Sequence, residues 1–297
     1  MAEDHGNEQD LVLDEDAGPN LRRRHLGRVL REIRQGQGKS LKEAATWSGL
    51  REGTISKMEN GKQAIMPRNV RLLCQYYDVG SPRADLLVRL ADEANQRGWW
   101  DFYSDTMPEW FEQFVGLESD ATELWNYNPS VVDGLLQTSD YAEALIEASL
   151  PQSTDADLRR SVELRAARQS RLNRDSHPTH LHVVLDEAVL HRVVGSTNVM
   201  RDQLEHLTEA ASRPNITIQI MPFRAGAHPA MKGPFSLLRF PETLDMDAVY
   251  LENERGAIWL ERPADITHYT TVFKAMRQQA LSPEETLDQV VNLAKSL

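Results

Sequence analysis

The chain has 297 residues, 40% hydrophobic and 26% charged, enough for one large domain or two with a substantial core. It has no run of about 18 apolar residues, and its acidic N-terminus lacks an apolar signal segment, so neither a membrane span nor a secretory leader is expected. The single cysteine, Cys74, rules out an intrachain disulfide framework and a Cys-based zinc site, and a cytoplasmic location is the default.

The net charge of −12 is unevenly spread: −7 over residues 1–20, +8 over 21–80 and −13 over 81–297. A basic block between acidic ones is what a DNA-contacting segment requires, because phosphate contacts supply most non-specific affinity. On charge alone, a solvated face would look the same.

In chain order, residues 1–19 are acidic, apolar-poor and end in Gly18-Pro19, so a disordered tail is expected. Leu26, Val29, Leu30 and Ile33 recur at helical spacing over 21–35, and Gly36-Gln37-Gly38 ends that helix. Ser40 and Glu43 form a capping box opening a helix that runs to Trp47 or Ser48, where Gly49 supplies a left-handed turn. A short helix follows over 52–60, closed by Gly61, and Pro67 opens another. Residues 82–97 read as a further helix. Beyond them come helices near 109–126, 139–148, 155–173, 187–193, 197–211, 265–280 and 283–296. Strands are expected over 180–185, 216–221, 235–240, 248–251 and 257–260. Four segments result: a tail (1–19), a mainly α five-helix helix-turn-helix domain (20–80), a helical linker (81–104) and an α+β domain with a mixed sheet (105–297).

A helix-turn-helix needs a small residue where two helices cross, a turn glycine and an apolar anchor behind the second helix. Ala45, Gly49 and Ile55 stand at those offsets. Glu52, Gly53, Ser56 and Lys57 are then left on the exposed amino-terminal face, where such a helix meets base edges.

Residues 26–80 resemble an Xre-type, phage-repressor-like domain throughout, and Ile55-Ser56-Lys57-Met58-Glu59-Asn60-Gly61 is similar to that family's signature. The resemblance implies that Arg34 pairs with Glu59 as scaffold. It implies phosphate contacts from Ser40, the Leu41 main chain and Lys42 at a helix amino end, where free amides point outward. It also implies base contacts from Glu52, Gly53 and Lys57, with Arg51, Thr54 and Ser56 near the DNA backbone; Lys62 completes the set. Lys57 is the best candidate for reading a guanine, the alternative being a plain phosphate contact. Two departures stand out: Lys39 replaces an apolar residue before the capping serine, and Glu52-Gly53 replaces amide side chains. The partner is double-stranded DNA, bound through two half-sites, so a homodimer is expected.

The second half carries Leu117-Glu118, Val132-Asp133-Gly134-Leu135-Leu136-Gln137-Thr138, Arg165-x2-Arg168-Gln169-x-Arg171 and Met221-Pro222-Phe223. That series resembles the effector domain, of undetermined function, that follows the Xre domain in many actinobacterial regulators. The resemblance implies a small acidic partner protein encoded nearby, and no catalytic residue. An antitoxin-like role in a two-gene module is the alternative to a plain regulator. From the residues alone, Arg165, Arg168, Arg171 and Arg174 form a basic stripe, open either to internal pairing or to an acidic partner. The loop with Phe223, Gly226, His228 and Gly233 is the candidate partner or ligand surface. His177, His180 and His182 lack a complementary ligand set, so no metal is expected, nor any other cofactor. Without a phosphate loop, nucleophile elbow or zinc-protease motif, no enzyme activity is expected.

Overall fold

The computed structural model describes residues 17–150, 152–241 and 247–297, in two compact units divided between Asp101 and Phe102. The acidic segment 1–16 lies outside the described residues. Pro19, assigned to the tail by its sequence, occupies the first helical turn, where its fixed φ and missing N–H are tolerated.

The first unit is built of α1 (Pro19–Gly36), α2 (Leu41–Ser48), α3 (Glu52–Glu59), α4 (Pro67–Tyr76) and α5 (Arg83–Ala94). Leu26, Val29 and Leu30 of α1 meet Ala44, Ala45, Ile55, Met58, Val70, Leu73 and Cys74 in one core, joined by Leu87, Val88, Leu90 and Ala91 of α5. Those last four correct the expected boundary. The 81–104 stretch is not a separate linker: α5 packs on α1 and α4 and is the fifth helix that 20–80 lacks. Gly27 lets α1 approach the end of α3, since a Cβ there would lie 2.3 Å from the Met58 carbonyl oxygen.

The second unit runs α6 (Glu109–Asp120), β1 (Glu123–Asn128), α7 (Ser139–Ser149), α8 (Asp155–Gln169), β2 (His180–Asp186), α9 (Glu187–His191), α10 (Thr197–Ala211), β3 (Ile216–Met221), β4 (Phe235–Arg239), β5 (Ala248–Asn253), β6 (Gly256–Leu260), α11 (Pro263–Gln279) and α12 (Pro283–Ser296). The sheet order is β3-β2-β1-β4-β5-β6, with β1–β2 and β2–β3 parallel and the other pairings antiparallel. This is the expected α+β class with a mixed sheet. One strand was not expected: the helix predicted over 109–126 stops at Asp120, and Glu123–Asn128 is a central strand. Its Asn126 is buried and donates to Asp133 at 2.8 Å, so a residue with poor strand propensity is held by a specific partner.

Tyr127, Val184, Met221, Phe235, Leu237 and Val249 share one face of the sheet and pack against Phe273 and Met276 of α11. The two parallel connections, β1 to β2 and β2 to β3, step the same way, so right-handed crossovers set their helices on the opposite face. There the arginine stripe turns inward. Arg168 of α8 grips Glu118 of α6 through two 2.8 Å bonds and lies over the rings of Phe111 and Phe114, 5.2 and 5.6 Å from their centroids. Arg165 donates to Gln137 at 2.6 Å, and Arg171 binds the Thr179 hydroxyl and the carbonyls of Ser119 and Ala121. Of the four, Arg174 alone is exposed. Burial pushes the Arg165 guanidinium down to about 10, still charged at neutral pH.

Removing Glu118 takes from buried Arg168 its doubly hydrogen-bonded partner. Glu118→Ala is expected to cost about 3–5 kcal/mol in urea unfolding followed by hydrogen exchange at β1, and the paired change Glu118→Leu with Arg168→Leu should recover most of it. Burial also pushes the His182 imidazole, bonded to Gln219 at 2.9 Å, from 6.5 down to about 4. The unfolded chain therefore takes up this proton first. Its contribution is complete above pH 6.5 and declines as pH falls toward 4, so His182→Gln should flatten that part of a plot of Tm against pH.

Candidate nucleic-acid interface

The geometry of α3 is set by α1 and α2. Ser40 accepts the Glu43 amide, and the Glu43 carboxylate accepts the Ser40 amide and hydroxyl at 2.8 and 2.7 Å. Gly49 then adopts φ 73° and donates to Ala45 at 3.0 Å, turning the chain into α3. Ala44 and Ala45 let the two helices meet, and Ile55 is fully buried behind them.

At its far end α3 is fixed to α1. Arg34 Nε and Nη2 donate to the two Glu59 carboxylate oxygens at 2.7 and 2.8 Å, while Nη1 binds the Lys39 carbonyl at 2.8 Å. Both side chains are buried, and the hydrogen bonds to Glu59 raise the Arg34 pKa above its ordinary value. The pair joins the end of α1 to the end of α3. Arg31 adds a 3.0 Å bond to the Glu59 carbonyl and another to the Asn60 side chain. Asn60 in turn donates to the Ser56 carbonyl at 2.6 Å.

With one face so locked, α3 turns the other outward. Arg51, Glu52, Gly53 and Lys57 are exposed, and Thr54 and Ser56 are half-buried beside them. Gly61, at φ 64°, ends the helix and leads to exposed Lys62, whose amide binds the Lys57 carbonyl at 2.9 Å. Lys42 is exposed at the start of α2. Ser40 caps α2 as its spacing to Glu43 predicts. Its amide and hydroxyl are engaged by Glu43, whose carboxylate those bonds hold below the usual range. At this helix start an anion can be met by the Leu41 and Lys42 amides, which have no intrahelical acceptor, and by the Lys42 ammonium.

The residues missed by sequence reasoning are Gly27, Arg31, Asn60 and Gln63, which donates to the Thr54 carbonyl at 3.4 Å. Only Gly27 left a signal, as a glycine inside a strong helical pattern. Lys39 packs where an apolar residue was expected: its ammonium sits 4.2 Å from the Tyr76 ring centroid and donates to the Tyr76 carbonyl.

Residues 25–87 match a helix-turn-helix domain, and residues 111–290 match the family described as a domain of unknown function, DUF5753. The chain belongs to the DUF5753 family. No curated protein and no solved structure matches it. The N-terminal unit is a helix-turn-helix domain of the DNA-binding kind, and no described helix is long and apolar enough to cross a membrane.

Within the DUF5753 segment, the candidate loop divides into two parts. Phe223 is 60% exposed, leans on the His191 ring at 6.2 Å and donates its amide to Glu187 at 2.6 Å. His228 is buried, which corrects its expected place on the surface: Nδ1 accepts the Ala230 amide at 3.3 Å and Nε2 lies 3.3 Å from the Tyr127 hydroxyl. Gly226 and Gly233, at φ 67° and 135°, provide the turns around it. The exposed apolar part of the loop is Phe223 with Met231.

Arg34→Ala separates scaffold from contact. It strands the buried Glu59 carboxylate, so a loss of about 3–5 kcal/mol in thermal unfolding of the N-terminal unit is expected without DNA present. A variant that melts normally yet fails to bind DNA would place Arg34 at the interface instead.

Proposed function

We propose that this chain is a sequence-specific transcriptional regulator of the Xre type found in actinobacteria, acting as a homodimer with α3 in the DNA major groove. What carries the proposal is the outward face of α3. It offers Glu52, Gly53 and Lys57 to the outside from a helix whose inner face is pinned by Ile55 and by the Arg34–Glu59 fork. Lys57 reads a base, most simply a guanine through its O6 and N7 acceptors, and Glu52 accepts from a cytosine amino group or repels a misplaced phosphate. Lys42, Lys62, Arg51 and the amides of Leu41 and Lys42 hold the phosphates, which set register without reading sequence.

The DUF5753 unit carries the response in this scheme and no catalytic step. The exposed Phe223 and Met231 give it an apolar contact surface for a small partner protein or ligand. The basic charge of residues 21–80 favours DNA, while the net −13 of 81–297 keeps non-specific affinity low.

In vitro selection of bound DNA with the full chain is expected to return a two-fold-related site. On that site Lys57→Ala should weaken binding by about 1–3 kcal/mol and relax preference at one base pair per half-site. Lys62→Ala should weaken binding evenly across sequences and reduce the salt slope by about one per half-site. Failure to enrich any sequence would overturn the proposal.

A further inference from the structure

The sheet of the second unit is finished differently at its two edges. At β3, the Leu281 amide donates to the Ile220 carbonyl at 2.8 Å, and the Ile220 amide donates to the Thr286 hydroxyl at 3.0 Å, so the segment entering α12 closes that edge. At β6 the edge is open. Glu254 and Arg255 form a two-residue turn closing on Asn253 and Gly256. In such a hairpin the closing pair exchanges hydrogen bonds, as does every second pair after it, Leu251–Ile258 and Val249–Leu260. Ala257 and Trp259 therefore direct their N–H and C=O groups away from β5, and no hydrogen bond among the described residues meets them.

Nothing in β6 protects this edge. Gly-Ala-Ile-Trp-Leu has no charge and no proline, the usual devices against edge pairing, and Ile258 is 53% exposed. The charges stand just outside the strand, as Glu254-Arg255 before it and Glu261-Arg262 after it. Laid antiparallel on itself about Ile258, the strand sets Ala257 against Trp259 and brings Arg255, at the turn end, beside Glu261 of the other copy. Ala257 and Trp259 are the residues with outward backbone groups, so ladder and charge agree. A slip of one residue brings outward groups against inward ones. A slip of two separates Arg255 from Glu261.

We propose that β6 is the self-association edge of this protein, two copies joining antiparallel about Ile258 into one continuous twelve-stranded sheet from two six-stranded ones. This deepens the homodimer proposed above and rests on it. The occupant is a second copy because Arg255 at one end of the strand complements Glu261 at the other once the strand is reversed, a property that a foreign strand would not require. The contact is isologous, so it closes at two copies and leaves the β3 edges covered.

The test uses the full chain without DNA. Sedimentation should give twice the 33.7 kDa chain mass, and Ile258→Lys, at an exposed position on the two-fold, should give the single-chain mass with an unchanged melt. Arg255→Glu should weaken the dimer, and adding Glu261→Arg should restore it, a rescue that general damage to the fold would not allow. Ile258→Cys should cross-link spontaneously on a non-reducing gel, because facing residues at such a position are about 4.5 Å apart, within disulfide reach. The native Cys74 is buried and does not compete. A wild-type chain of single mass would overturn both the dimer and this interface. A dimer that keeps its mass in Ile258→Lys and fails to cross-link in Ile258→Cys would overturn the interface alone.

Discussion

The position of α3 depends on one buried ion pair. Arg34 and Glu59 meet as two parallel hydrogen bonds between the end of α1 and the end of α3, and the third arm of the guanidinium holds the Lys39 carbonyl just before α2. Removing two charges from water costs several kcal/mol, so the pair adds less to net stability than to geometry. A planar fork fixes direction as well as distance, which a leucine in the same place would not. The second unit repeats the device. Arg168 and Glu118 join α8 to α6, with the guanidinium lying over two phenylalanine rings that shield it from water.

Much of the first unit was legible because its signals are local. Ser40-x-x-Glu43, Gly49 and Gly61 each act within four residues, and the apolar stripe of α1 states its own period. The role of α5 was hidden for the opposite reason. Its helix is plain in the sequence, but that Leu87 and Ala91 lie against residues of α1 and α4 is a tertiary fact that no spacing encodes. β1 was obscured by its neighbours. A helix ending at Asp120 runs within three residues into Glu-Leu-Trp-Asn-Tyr-Asn, where two asparagines interrupt the apolar alternation, and both donate to Asp133 across a loop. His228 was misjudged because a histidine between glycines looks solvent-facing until Tyr127, about a hundred residues earlier in the chain, closes over it.

In the proposed DNA interface the acidic groups count as much as the basic ones. Glu43 occupies the Ser40 end of α2, and Glu52 stands in the first turn of α3. In that proposal each lowers affinity for a phosphate lattice in general, while each leaves amides or a nearby cation available in one orientation. Discrimination between DNA sequences is a difference of affinities, and an unfavourable contact with the wrong site contributes to it as directly as a good contact with the right one.

The central place of β1 has a consequence in time. Helices of the first unit touch partners within about seventy residues along the chain, whereas β1 pairs with β2 and with β4, and the Thr122 hydroxyl meets a carbonyl 117 residues downstream. Contacts so distant in sequence close slowly. On the ribosome, α1 to α5 have all emerged once Asp101 is out, but the middle of the sheet waits for Arg239. Each molecule therefore passes through a period in which its helix-turn-helix unit is complete and the sheet of its DUF5753 unit is not.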